Sequence, residues 1–471
     1  MPPRFRPAMA LGLLTLVTAA PAAGQQLDPG LAHRVDSVFT RFTVPGAPGC
    51  ALGVVRDGRL DYARGYGLAS IELGVPITPA TVFDIGSVSK QFTAMAVVLL
   101  AQDGKLSLDD EIQRFLPEIP RYDKPITIRH LLHHTSGLRD YIDLLGASGV
   151  QEEMVTGDRD ALEILARQKG TNFEPGAEFL YSNTGFFLLS MIVQRAAGTS
   201  LRDFAAERIF RPLGMTHTQF VDRHDMIVPG KAGSYSTGRG GYRLALANWE
   251  QTGDGAVNTT VEDLLQWDRN FYDPRVGGAA ALRELLTPGV LNDGKPITYA
   301  LGLNVDRYRG VRAVTHGGSW AGFRAQLSRY PDQKTSVIVL CNLAESAPGL
   351  LAARVTDILL ANQLAEAPNR PRPVTLPASI PPDPAVALTP LAGTYRSGEL
   401  LADWTISVHR DTAYVRVGTA APEPMVPLAG DSLRAAGFRI GTVRLNDRVT
   451  GITLTSRGVR GLVLTRVDPS R

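Results

Sequence analysis

The sequence predicts an α/β protein. An antiparallel sheet flanked by helices carries an inserted helical part between its first and last strands, and a small C-terminal all-β barrel or sandwich follows. Three observations predict this. Strand patterns open and close the stretch from about Gln26 to Ala365, with helical patterns between them. Eight prolines fall between Pro368 and Pro390. Beyond them the pattern changes to short alternating strands.

The 471 residues exceed one ordinary core, and 44% hydrophobic with 20% charged residues is a globular composition. The expected organisation is a signal peptide over 1–24, a main domain over 25–365, a stiff linker over 366–390 and a β domain over 391–471. In the leader, Arg4 and Arg6 precede an apolar run from Ala8 to Ala19, and small residues at Ala20, Ala22, Ala23 and Gly24 suit cleavage near Gly24. The run is shorter than the ~20 residues that span a bilayer. The expectation is an exported, periplasmic or secreted protein without a stable transmembrane anchor after cleavage.

The main domain opens with GCALGVVRDGRLDYARGYG (Gly49–Gly67), a hairpin turning at Asp57-Gly58. Helical patterns follow, among them 127–132 and 184–197, the second stopped by Gly198. Strands return over 312–343, turning at Pro331-Asp332. In the C-terminal region Trp404, Ile406 and Val408 alternate with polar residues, as do Ala413, Val415 and Val417, then Ile452 and Leu454. Gly430-Asp431 and Asn446-Asp447 read as turns between them.

Charge narrows the partners. Forty-nine Lys and Arg against 46 Asp and Glu leave only +3, with no basic block, so nucleic acid is not expected. A small-molecule or peptide substrate is, with oligomeric state left open. Two cysteines, Cys50 and Cys341, form neither a disulfide scaffold nor a metal cluster. HLLHH places His130, His133 and His134 at helical spacing without an evident carboxylate partner, and no metal or other cofactor is expected.

Chemistry concentrates in DIGSVSKQFTAMAVVLL (Asp84–Leu100). A helix beginning at Ser87 brings Lys90 onto the same face one turn later, while Ser89 faces elsewhere. The positive helix end favours negative charge developing at Ser87. The apolar rod behind it strips solvent from Lys90 and lowers its proton affinity toward that of a base. Ser-x-x-Lys alone also describes a helix cap followed by a surface lysine. Tyr181-Ser182-Asn183 precedes a second apolar helix, where Asn183 or Thr184 also suits an N-cap. In THGGSWAGF (Thr315–Phe323), two glycines within a strand mark a close backbone approach, here expected from a substrate.

Together, Ser87-Val88-Ser89-Lys90, Tyr181-Ser182-Asn183 and His316-Gly317-Gly318 resemble the serine β-lactamase and penicillin-binding protein family, in its class C β-lactamase, D-alanyl-D-alanine carboxypeptidase, D-aminopeptidase and esterase branch. ITIRHLLHHTSGL, FRPLGMTHTQF and GDGAVNTTVEDLLQW extend the likeness over about Val44 to Leu343, and the C-terminal region resembles an appended lipocalin-like domain. The resemblance implies a β-lactamase/transpeptidase-like fold and acyl transfer through a serine ester. It makes Ser87 the nucleophile, Lys90 its activating partner and Tyr181 the proton shuttle, with either of the last two as the immediate base. Asn183, His316, Gly317 and Gly318 would contact substrate, and the N–H groups of Ser87 and Ser319 would form the oxyanion hole. His-Gly-Gly stands where β-lactamases of this branch carry Lys-Thr-Gly. A neutral imidazole thus replaces a cation, which ranks peptidase or esterase activity above β-lactam hydrolysis. The alternatives are a β-lactamase and a non-hydrolytic receptor or scaffold. The resemblance also sets the first strand beside the last, so Cys50 and Cys341 are either disulfide-bonded or two buried thiols.

Overall fold

The structure, a computed structural model, describes residues 27–366, 388–428 and 432–467. The expected leader, nearly all of the proline-rich segment and the Gly430-Asp431 turn lie outside the described residues.

The predicted hairpin is β1 (Cys50–Arg56) and β2 (Arg59–Tyr66). Asp57 and Gly58 both take positive φ, 48° and 70°, the twist that a two-residue hairpin needs. The returning strands are β3 (Asn304–Tyr308), β4 (Val311–Trp320), β5 (Phe323–Tyr330) and β6 (Thr335–Cys341). They form one antiparallel sheet in the order β3-β4-β5-β6-β1-β2, so the two chain ends of this region meet at β6 and β1. Leu52 and Val54 of β1 lie beside Val337 and Val339 of β6 in a core closed by α1 (Pro29–Ser37) and α6 (Pro348–Leu359). Cys50 and Cys341 share this register and are joined by a disulfide, with Cα atoms 4.0 Å apart.

The opposite face, with Ala51, Ile338 and Leu340, packs on the inserted helical part. Its axis is α2 (Lys90–Gln102), in which every residue from Lys90 to Leu100 is buried, as a helix apolar nearly all round must be. Phe92 lies against Trp267 of α5 (Val261–Asn270), with ring centroids 4.7 Å apart. Two further helices frame the site: α3 (Tyr141–Ala147) and α4 (Asn183–Ala197), the latter ended by Gly198 at φ 73°.

The C-terminal region is one nine-stranded antiparallel sheet. Its strands are β7 (Gly393–Arg396), β8 (Trp404–His409), β9 (Thr412–Val417), β10 (Glu423–Pro424), β11 (Val426–Leu428), β12 (Ser432–Ala435), β13 (Phe438–Leu445), β14 (Arg448–Thr455) and β15 (Leu462–Val467). The sheet's two edges, β10 and β11, are separated in sequence by Met425 alone, so the sheet curls into a nearly closed barrel. Trp404, Ile406, Ala413, Val415, Ile452 and Leu454 fill it, as the alternation predicts. The barrel sits on the main domain through a buried ion pair, Arg139–Glu399 at 2.7 Å, and through Trp404, whose indole N–H donates to the carbonyl of Ala147 at the end of α3. No described helix is long and apolar enough to cross a membrane.

Candidate active site

The residues that open α2 differ from expectation in one respect. The α-helix starts at Lys90, and Gly86–Ser89 form a tighter 3-10 turn in front of it. Gly86 sits at φ 48°, with its N–H donated to Asp84 at 2.7 Å, and this aims Ser87 outward. Ser89 is fully buried and accepts the N–H of Val257, so its hydroxyl is occupied in holding the turn.

Lys90 is fully buried beneath Ser87. Its Nζ donates to Ser87 Oγ at 3.1 Å, to Asn183 Oδ1 at 2.9 Å and to the carbonyl of Asp254 at 2.6 Å. All three donors of a charged lysine thus have acceptors. Asn183 is the first residue of α4, Ser182 stands in the N-cap position without a capping bond of its own, and Asp140 grips both: its carboxylate accepts the Asn183 N–H and the Ser182 hydroxyl. Asp254 is fixed by its neighbour, since Thr93 of α2 donates to the Gly253 carbonyl. The Asp254 carboxyl accepts from Tyr141 at 3.1 Å, and burial raises its pKa to about 7 against the lowering pull of Lys90.

Tyr181 lies with its ring centroid 5.0 Å from Lys90 Nζ. Its hydroxyl is sealed from solvent and has no hydrogen-bond partner among the described residues. An orphaned buried hydroxyl is uncommon outside functional sites. The third histidine of HLLHH holds this tyrosine in place. The His134 ring packs against its ring, tilted by 37° with centroids 4.3 Å apart, the His134 carbonyl accepts the Leu180 N–H, and Nδ1 accepts the Ser182 N–H. Burial and then Lys90 keep the His134 pKa well below the ordinary value.

His316 lies behind Tyr181, not in the cavity expected for it, with ring centroids 6.2 Å apart. It is 4% exposed. Its Nδ1 donates to the Gly317 carbonyl at 2.6 Å, which leaves Nε2 to accept from Tyr299 at 2.9 Å. Burial, helped by Lys90, lowers its pKa to about 4, so the imidazole is neutral at pH 7.

The strand glycines also have a different purpose from the expected one. A Cβ on Gly318 would fall 1.9 Å from the Ile85 carbonyl and 3.2 Å from the Ser87 nitrogen; one on Gly86 would fall 2.5 Å from the Ser319 nitrogen. The approaching backbone is therefore the protein's own: the Ser87 turn pressed against β4. β3 pairs with β4 only as far as Thr315, which leaves that edge to the turn. Gly317 has no such neighbour, its nearest contact being the end of the Gln326 side chain.

Ser87, Tyr181, Asn183 and Ser319 line one cavity of about 620 Å³. Trp249 and Trp320 meet at 5.9 Å on its wall, with Met226, Leu244, Leu246 and Phe323 adding apolar surface. Sequence reasoning quoted the segment containing Asp254 without giving it a role, because a carbonyl acceptor has no side-chain signature. His134 was read only as a metal ligand to be set aside.

Residues 35–361 match the family model described as Beta-lactamase. The chain belongs to the β-lactamase family. It is 31% identical over 314 residues to a D-aminopeptidase of Gluconobacter oxydans, covering 66% of this chain and 58% of that one. It is also 31% identical over 333 residues to penicillin-binding protein 4* of Bacillus subtilis, covering 67% and 72%. The match thus spans a little over half the length of the D-aminopeptidase. Among solved structures, an octameric penicillin-binding protein homologue from Pyrococcus abyssi superposes with TM-score 0.63 at 23% identity, over 93% of this chain and 99% of that one. A D-amino acid amidase from Ochrobactrum anthropi gives 0.59 at 23%, over 71% and 99%. These likenesses establish a shared fold. The fold expectation holds, and the chain is a member of a serine-hydrolase family.

Proposed function

We propose that this β-lactamase family member is an exported serine hydrolase that opens amide bonds of D-amino-acid peptides or amides, and secondarily small esters, through a Ser87 acyl ester. The single observation that carries the proposal is Lys90 Nζ bonded to Ser87 Oγ, Asn183 Oδ1 and the Asp254 carbonyl beside the orphaned Tyr181 hydroxyl. Ser87 Oγ attacks the substrate carbonyl and forms the C–O bond. Its proton passes through the Lys90–Tyr181 pair to the leaving nitrogen as the C–N bond breaks. The N–H groups of Ser87 and Ser319, brought together by Gly86 and Gly318, receive the oxyanion. Water then attacks the ester and returns a proton to Ser87 by the same route. The D-aminopeptidase relatives favour the amide reading. With a neutral, buried His316, β4 offers no cation at that position, which places β-lactams lower.

The test is labelling with a fluorophosphonate followed by peptide mapping, alongside D-amino-acid amides, short esters and a chromogenic cephalosporin. Ser87→Ala is expected to abolish labelling and to lower turnover by roughly 10³- to 10⁶-fold. A label on Ser89, or turnover that survives Ser87→Ala, overturns the proposal.

A further inference from the structure

The C-terminal barrel reaches the cavity through the loop between β14 and β15, and this loop is fastened to the main domain at Ser456, Gly458 and Arg460. Asp143 Oδ2 of α3 accepts both the Ser456 hydroxyl, at 2.5 Å, and the Gly458 N–H, at 2.9 Å. The Gly458 carbonyl accepts the Asp140 N–H at 3.0 Å and Asn172 Nδ2 at 2.9 Å. Asn172 Oδ1 accepts the Arg460 N–H, and Arg460 pairs with Glu178 at 2.9 Å. Val459 is buried. A Cβ at Gly458 would fall 2.4 Å from the Asp140 Cβ, so the loop lies directly on the residue that holds Asn183.

The Arg457 side chain takes no part in this docking. It is exposed, lines the cavity that contains Ser87, and has no hydrogen bond or ion pair with any described residue. Its guanidinium carbon lies 5.9 Å from the Tyr181 ring centroid. Two other cations of the cavity are engaged in hydrogen bonds or ion pairs. Arg223 pairs with Asp225, and Arg324 donates to the carbonyls of Ala321 and Phe323. The Lys231 side chain, like that of Arg457, forms no hydrogen bond or ion pair with a described residue, but it lies over the Phe323 ring beside Asp84 and not over Tyr181. A rigid loop that presents one unpartnered guanidinium into a cavity has the form of an anion site, and Arg is the side chain suited to a planar carboxylate.

Position decides which anion. Resting on the proposed role of Tyr181 as proton donor to the leaving nitrogen, a cation above the Tyr181 ring faces the leaving group and not the acyl group. We propose that Arg457, supplied by the C-terminal barrel, binds a carboxylate on the leaving group. The preferred substrate is then a short peptide whose departing residue carries the free C-terminus.

The test compares D-alanyl-D-alanine with the same dipeptide amidated at its C-terminus, in the full-length wild type and in Arg457→Gln, Arg457→Lys and Arg460→Gln. The acyl group is identical in the two probes. Wild type is expected to prefer the free acid by kcat/KM. Arg457→Gln should lose roughly 10- to 100-fold on the acid, mainly through KM, and stay within about twofold on the amide. Arg457→Lys should retain part of the preference, and Arg460→Gln, which removes the Glu178 pair but leaves the bonds to Asp143 and Asn172, the larger part of it. Equal losses on both probes, or a wild type without preference for the acid, overturn the inference. Turnover of the amide alone does so while leaving the serine-hydrolase reading intact. If neither dipeptide is turned over, their Kd values for Ser87→Ala decide: tighter binding of the acid, lost with Arg457→Gln, supports the site, and equal or absent binding overturns it.

Discussion

The turn at Gly86–Ser89 and the loop at Ser456–Gly461 border the same cavity, yet one is built outward from the core and the other is fastened on from outside. The turn lies between buried α2 and β4, and its geometry depends on two missing Cβ atoms, at Gly86 and Gly318. The loop belongs to the C-terminal barrel and reaches the site through polar bonds to Asp140, Asp143 and Asn172. The contrast separates two tasks. Positioning of the nucleophile rests on steric fit, where small shifts are costly. Recognition at the rim rests on hydrogen bonds and charge, which change without disturbing the core.

The sharpest way to break this comparison lies in β4. Gly318→Ala places a methyl group against the Ile85 carbonyl and must displace the Ser87 turn. Turnover is expected to fall by about 100-fold or more, since ångström-scale misplacement costs that much. Gly317→Ala meets only the flexible end of Gln326 and should keep activity within a few-fold. Steady-state kinetics on the pair checks this; equal effects would mean that close approach to the turn is not what Gly318 provides.

Next in size is the fastening of the barrel. Glu399→Ala leaves Arg139 buried without its carboxylate partner and also removes the acceptor of the Lys169 N–H. A loss of about 3–5 kcal/mol is expected for breaking such a pair, read by chemical denaturation. Residual enzyme should keep amide turnover better than any preference for a free carboxylate, because the barrel loop carries Arg457 itself but touches the catalytic residues only indirectly, through Asp140.

The smallest effect sharpens the same division through pH. His316 titrates at about 4 when folded and near 6.5 when free, so the unfolded chain binds more protons between these values. The His316 contribution is complete above pH 6.5 and is lost as pH falls toward 4, up to ~3 kcal/mol. Asp254 has the opposite sign. With its pKa raised to about 7, its contribution is complete below 3.8 and is lost as pH rises through 7. Thermal melts from pH 4.5 to 8 should therefore show a shallower acid loss for His316→Gln and a shallower alkaline loss for Asp254→Asn. Arg457→Gln should leave both slopes unchanged.

Much of the fold could be read directly. The Asp57-Gly58 hairpin, the nearly apolar α2, the Gly198 stop and the period-2 strands of the barrel are local patterns with local causes. The pairing of Ser87 with Lys90 was legible for the same reason, since residues three apart share a helical face. His316 was expected against substrate because its place in the motif argues for that, while its burial and the Tyr299 bond depend on segments elsewhere. The cysteine pair stayed open until β1 and β6 were seen in register. The role of Gly318 was legible as a close approach, but not what approaches it.

By itself the sequence determined the elements and the chemistry they can carry: a serine and a lysine at the start of a buried helix, a tyrosine before another, and glycines in a strand. Those follow from spacing and propensity, which act over a few residues. Only the tertiary structure decided how the groups are used. The carbonyl of Asp254 holds Lys90, His134 holds Tyr181, and the barrel brings Arg457 to the cavity from 370 residues beyond Ser87. The physical reason is that a backbone acceptor, a ring packed against a ring and an unpaired guanidinium gain their meaning from what lies opposite them, and nothing near them in the chain says what that is.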